Sequence, residues 1–286
     1  MTDEIKKYVL LFLSAFVFPG TVFGFVITDD VGRKAEIKKP VESIVSLSPG
    51  HTEMIYYLGA AEKLKAVSLQ CDYPPAAKDK EKAGGFLHPD TEKIASLGPD
   101  VVISGGGIQK KAISAMEKLG ISVIVFYPQS LSDIAVNMRT IAAITGCGED
   151  KALEFDRRLK KLEGKAAAKK VYMEISGEPA MAVGGASVIN EILHYAGGVN
   201  VLADAKTEYP KVSKEEVLIR APEAIFFLYE PSGKYDESPH IRNTPAGKTG
   251  MIFTLRGRLL DSVMRPGPGV LDAVAELRKM LLGGVK

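Results

Sequence analysis

The chain has 286 residues, 46% of them apolar and 25% charged, which is ordinary globular usage with room for two compact domains. Its 37 basic and 35 acidic residues leave a net charge of +2, too little for a nucleic-acid-binding or polybasic membrane surface. Cys-x-x-Cys and His-Glu-x-x-His spacings are both missing from the sequence, which excludes a zinc knuckle and a metalloprotease helix.

The first segment reads as an address, not as part of the fold. Residues 1–7 are polar and carry Lys6 and Lys7, and 8–18 form an apolar run broken only by Ser14. Pro19-Gly20 ends that run, and Val22-Phe23-Gly24 supplies small residues at minus three and minus one of a cleavage point. This is the layout of a signal peptide over 1–24, whereas a bilayer span needs about 20 apolar residues. With no cysteine near the cut to carry a lipid, the mature chain is expected to diffuse freely in the periplasm. Export permits a disulfide between Cys71 and Cys147, but sequence does not bring the two thiols within bonding distance, and two unpaired cysteines are the favoured expectation.

The mature chain alternates strands and helices. Residues 43–47 form a short apolar strand; Ser48 then caps a helix with Pro49 in its first turn, and Gly59 ends it. Further β-branched strands are expected at 64–69, 101–104 and 123–126, with helices at 91–97 and 110–119. Residues 149–169 are rich in Ala, Leu, Glu, Lys and Arg, predicting one linking helix about 30 Å long. A second series follows, with strands at 171–175 and 224–228 and helices near 188–195, 214–220 and 270–282. The expected class is α/β. Two lobes, 25–148 and 170–286, each hold a central, mostly parallel sheet flanked by helices and are joined by the single helix 149–169.

An internal repeat supports two similarly built halves. Asp90-Thr91-Glu92-Lys93-Ile94 leads to Pro99-Asp100-Val101-Val102, and Ser213-Lys214-Glu215-Glu216-Val217 leads to Pro222-Glu223-Ala224-Ile225. In each copy a Glu follows a capping residue by two places and precedes a Pro by seven. Upstream of each copy stands a Tyr-Pro pair, Tyr73-Pro74 and Tyr209-Pro210.

In a two-lobed α/β chain the natural ligand site is the crevice between the carboxyl ends of the strands. The loops expected there are Ser48-Pro49-Gly50-His51-Thr52, Cys71-Asp72-Tyr73-Pro74-Pro75, Gly84-Gly85-Phe86, and Ser104-Gly105-Gly106-Gly107. The second lobe adds 181–187, Glu208-Tyr209-Pro210, and 261–269 with its Arg265-Pro266-Gly267-Pro268-Gly269 core.

Three of these segments carry a specific resemblance. Cys71-Asp72-Tyr73-Pro74-Pro75, the run 84–100, and Tyr209-Pro210-Lys211-Val212-Ser213 resemble the cobalamin-binding members of the helical-backbone class of periplasmic binding proteins. That class also serves haem and iron-siderophores. The likeness runs from about Ile27 to the C-terminus and implies two α/β lobes rigidly linked by one long helix.

The resemblance implies a monomeric substrate-binding component of an ABC importer, working with a permease dimer and its ATPase. It implies no resident cofactor and no catalysis. Tyr73 and Tyr209 fall where the family sets aromatics against the corrin, and Phe86 falls where its best-known cobalamin binders have Trp. Asp261 and Arg265 match a pair that contacts the ligand's polar periphery, and Pro49, Gly50 and His51 belong to the loop implied to line the cleft. Gly105 stands in place of another Trp and Met181 in place of Phe, in a chain without Trp, so the cleft near Gly105 is expected to be roomier. Glu92 and Glu215 match the pair that docks each lobe onto permease arginines. No resident metal is expected. Among the four histidines His51, in the loop implied to line the cleft, reads first as a polar side chain at a helix end. Its second reading is an axial ligand to the cobalt of an incomplete corrinoid or the iron of haem.

The alternatives are a binding protein for an iron-siderophore or haem, an enzyme cradling a phosphate on Gly105-Gly106-Gly107, and a sensor using the same cleft. No G-x-G-x-x-G, P-loop or Ser/His/Asp set supports the enzyme.

Overall fold

The computed structural model describes residues 24–37, 40–106, 109–162, 168–231 and 238–283. The expected signal peptide therefore lies outside the described residues, apart from Gly24. Two strands to which the sequence reading assigns no element come first, β1 (Phe25–Thr28) and β2 (Lys34–Ile37), paired antiparallel. Asp29 closes their turn by accepting the main-chain N–H of Arg33 at 2.8 Å and its guanidinium at 2.7 Å.

The first lobe follows as β3 (Ile44–Ser46), α1 (Pro49–Tyr57), β4 (Leu64–Val67), β5 (Glu81–Lys82) and α2 (Thr91–Leu97). It continues through β6 (Val101–Ser104), α3 (Lys110–Lys118), β7 (Val123–Val125) and α4 (Leu131–Thr145). Its sheet runs β5-β4-β3-β6-β7, every pair parallel. The second lobe holds β8 (Lys169–Gly177), β9 (Ala180–Ala182), α6 (Val188–Ala196), β10 (Gly198–Asn200), α7 (Lys214–Arg220) and β11 (Ala224–Phe227). It ends with α8 (Pro239–Arg242), α9 (Pro245–Thr249), β12 (Ile252–Thr254), α10 (Gly257–Met264) and α11 (Val270–Leu281). Here β10-β8-β11-β12 pair in parallel, and β9 folds back antiparallel on β8.

Between the lobes runs α5 (Glu149–Leu162); of the helix expected over 149–169, residues 163–167 lie outside the described residues and Lys169 belongs to β8. At about 1.5 Å per residue α5 spans about 21 Å. Helix propensity loses at the far end because Lys169 pairs with Gly198 in the β8–β10 ladder, and Ala168 turns the chain into it at φ 51°.

The lobes share more than a covalent link. One apolar cluster runs from Met54, Leu58, Ile134 and Met138 through Phe155 and Leu159 to Ile192, Leu193, Val270 and Val274. Residues of α1, α4, α5, α6 and α11 thus share one core, and relative motion of the lobes must deform a close-packed interior.

The sequence repeat is a structural one. Asp90 caps α2 by accepting the Lys93 N–H, and Ser213 caps α7 by accepting that of Glu216. Both helices are seven residues long and both end in the left-handed region, α2 at Gly98 (φ 54°) and α7 at Ala221 (φ 49°). The Ala carries a cost of about 1–2 kcal/mol there that Gly avoids. The acid after each Pro then anchors the neighbouring strand: Asp100 accepts the N–H of Ser43 at 2.9 Å, and Glu223 that of Lys170 at 2.8 Å.

Candidate site where the carboxyl ends of the two sheets meet

In parallel sheets, the loops that leave the carboxyl ends are free to carry ligand groups. In the first lobe β4 and β6 flank β3, so the chain leaves the neighbouring strands β3 and β6 in opposite directions, and Leu47–Ser48 lies beside Ser104–Gly105. Buried Gln109 fastens this region. Its amide nitrogen donates to the Phe86 carbonyl at 2.6 Å, and its amide oxygen accepts the Gly105 N–H at 2.9 Å and the Ser104 hydroxyl at 2.5 Å.

Phe86, Gly105 and Ser48 are therefore brought together, and the roomier cleft expected at Gly105 is not found. A Cβ on Gly105 would stand 3.1 Å from the Phe86 ring and 3.1 Å from the Ser48 Cβ. The space that a larger side chain would need is already filled by Phe86.

Pro49 and Gly50 open α1 where the second lobe touches it. A Cβ on Gly50 would lie 2.3 Å from the carbonyl oxygen of Pro266, so main chain from the two lobes meets directly there. His51 points elsewhere. Its side chain is 3% exposed, its ring meets Phe126 edge-to-face at 5.4 Å, and its Nδ1 has no partner. Burial lowers its pKa to about 4, so the imidazole is neutral at physiological pH. It is a core residue in this structure, which corrects the expectation that it reaches a metal in the cleft. Among the described residues no group of three or more His, Cys, Asp or Glu side chains could hold a metal ion. Cys71 and Cys147 are both free; the Cys71 sulfur lies 3.1 Å from the hydroxyls of Thr52 and Ser68.

On one side of the junction the contacts are ionic. Arg258 and Arg265 lie seven apart on α10 and its C-terminal cap, with Asp261 between them on the same face. Arg265 donates to Asp72 across the lobes at 2.5 Å and pairs with Asp261 at 3.1 Å. The expected Asp261–Arg265 pair is thus present but engaged with the first lobe. Burial pushes the Asp72 carboxyl up, but the hydrogen bond and charge of Arg265 outweigh it and leave it below its ordinary value.

Arg258 donates to Glu53 of α1 at 2.6 Å, and its guanidinium lies 3.7 Å from the centre of the Tyr73 ring. Burial raises the Glu53 carboxyl above its ordinary range, with Arg258 opposing. Neither Glu53 Oε1 nor Arg258 Nη1 has a hydrogen-bond partner.

Tyr209 is half-buried against the core, its phenol pushed up mainly by burial. Its neighbour Glu208 accepts the hydroxyl of Tyr127, from the loop after β7, at 2.5 Å. Met181 is half-buried and joins Lys211 in an isolated antiparallel bridge. Glu92 and Glu215 occupy the second position of α2 and α7, both exposed and without an ion pair among the described residues.

Sequence reasoning named Tyr73, Tyr209, Asp261 and Arg265 but missed Glu53, Tyr127 and Arg258. Tyr127-Pro128 is a third Tyr-Pro pair following a strand, and that signal was available. Arg258 shares a helical face with Asp261 and Arg265, a weaker clue.

Comparison with known proteins gives a consistent picture. The profile of the family described as periplasmic binding protein matches residues 44–259. The vitamin B12-binding protein of Vibrio vulnificus (strain YJ016) is 30% identical over 248 residues, covering 83% of this chain and 89% of that protein. The crystal structure of the periplasmic vitamin B12 binding protein of Vibrio cholerae superposes with a TM-score of 0.74 at 28% identity, covering 86% of this chain and 98% of that one. The periplasmic haem-binding protein of Roseiflexus sp. RS-1 shares the fold, with a TM-score of 0.71 at 22% identity over 86% of this chain and 100% of that one.

Proposed function

The chain belongs to the periplasmic binding protein family, and from that premise we propose that it captures cobalamin or a related corrinoid between its lobes and delivers it to an ABC importer. The likeness to the vitamin B12-binding protein of Vibrio vulnificus, 30% identity across 83% of this chain, carries the choice of ligand. The physical setting suits it. Tyr73, Phe86 and Tyr209 offer aromatic faces to a large, flat, partly apolar guest, which bury much area for little lost side-chain entropy. Arg265, Asp261 and Asp72 offer charge-assisted hydrogen bonds to an amide- and phosphate-decorated rim.

In this reading the protein works in the periplasm, turns nothing over, and meets a permease dimer with its ATPase through Glu92 and Glu215. The shared apolar core favours small movements between free and loaded states. Replacing Tyr73 or Tyr209 by Ala should each weaken corrinoid binding by at least about 30-fold, the effect of losing a binding hot spot of about 2 kcal/mol, with the fold retained by circular dichroism. Affinity unchanged in both variants would sink the assignment of the ligand to this junction.

A further inference from the structure

Tyr127 is placed with unusual care for a side chain that is 39% exposed. Its main-chain N–H donates to Asp30 at 2.6 Å, and Asp30 is itself held by the Asn137 amide at 3.0 Å. Its ring lies over Gly106, where a Cβ would come within 2.5 Å of it; at φ 92° that position also suits only Gly. Its hydroxyl then crosses to the other lobe and donates to Glu208, beside Tyr209. Asp30, in the turn of the β1–β2 hairpin, thus fixes a first-lobe aromatic that reaches the second lobe.

We propose that Tyr127 and Glu208 form a gate: their hydrogen bond ties the two rims together in the free protein and must break for a large guest to enter. The proposal rests on the ligand site described above and adds the residue pair that controls access to it. One contact and the chemistry of its two groups support it. The bond is the cross-lobe contact made by an exposed phenol, in contrast to Glu53–Arg258, whose carboxylate is 4% exposed. A phenol donating to a carboxylate is a single charge-assisted bond, strong enough to bias the free state and weak enough to release. Burial and the Glu208 charge push the Tyr127 phenol up to about 12, so the proton needed for donation is present throughout the physiological range.

The test uses Tyr127→Phe, which keeps the ring and removes the donor, and Glu208→Gln, which removes the acceptor's charge. Stopped-flow mixing of the mature protein with cyanocobalamin should show association about tenfold faster in both variants, with dissociation unchanged, because the bond is absent from the loaded state. Unchanged association in both variants would overturn the gate. So would dissociation accelerated tenfold, which would make these side chains ligand contacts instead. The ligand-free protein provides an independent readout through the ¹³Cζ resonance of Tyr127, assigned by its loss in Tyr127→Phe. That resonance should shift in Glu208→Gln, and its failure to shift would refute the bond whatever the ligand proves to be. If no variant and no wild-type sample binds a corrinoid while that shift is seen, the ligand reading fails and the tie between the rims stands.

Discussion

Replacing Arg258 by Ala should cost the fold about 2–3 kcal/mol near neutral pH, measured by urea denaturation. Removing one partner of a buried pair costs about 3–5 kcal/mol because the other charge is left without compensation. Glu53 is in that position at 4% exposure, but the Arg258 side chain is 38% exposed, which scales the loss down. The pH dependence has a definite sign. A carboxyl whose folded-state pKa is raised contributes stability below its unfolded value and loses it as pH rises through the folded value. Burial raises Glu53 in this way, and Arg258 is what holds the rise in check. Without Arg258 the carboxyl should rise further, so the variant's deficit should be small near pH 4 and grow toward neutrality. Glu53→Gln in the same background should recover most of the loss, since a neutral amide is cheaper to bury unpaired than a carboxylate. A deficit that does not change with pH, or one that Gln fails to relieve, would show that lost packing and not lost charge is responsible.

The second large effect concerns delivery. Reversing Glu92 and Glu215 together to Lys should reduce uptake to background in cells carrying the cognate permease and ATPase, while corrinoid affinity stays within about twofold. The two carboxylates stand at identical positions of repeated helices, one per lobe, exposed and free of ion pairs among the described residues. Such a pair aligns a receptor by complementary charge, and reversal places like charges in contact at a cost of several kcal/mol. Stability should fall by only about 1 kcal/mol in all, from the lost carboxylates at two helix N-termini. Normal uptake by the double variant would remove these residues from the docking surface.

Much of the architecture was legible because its signals are local. Asp90 and Ser213 as caps, and Gly98 and Pro222 as stops, set α2 and α7 to the residue. The apolar runs at 101–104 and 224–228 became β6 and β11 because buried parallel strands need continuous apolar sequence. The β1–β2 hairpin escaped notice because its strands are only four residues each, and the apolar Phe25–Ile27 follows directly on the segment read as a signal peptide. The expected helix ran too far because Lys169 belongs to the β8–β10 ladder with Gly198, a partner that local helix propensity does not reveal.

The site was legible in part and for the same reason. Tyr73, Tyr209, Asp261 and Arg265 stand in recognisable strings. Arg258 and Glu53 are 205 residues apart, and nothing in either neighbourhood announces the other. Gly105 misled because a missing side chain suggests space, whereas Phe86 and Ser48 occupy it. His51 misled because a polar residue at a helix start is usually wet, and here the helix start is buried by Pro266 and Phe126.

The most direct test is calorimetric titration of purified residues 25–286 with cyanocobalamin, dicyanocobinamide, haem and a ferric siderophore in parallel. Saturation by a corrinoid at one molecule per chain, with the ligand recovered unchanged, is the predicted result. No heat with either corrinoid while haem or the siderophore saturates the protein would contradict it.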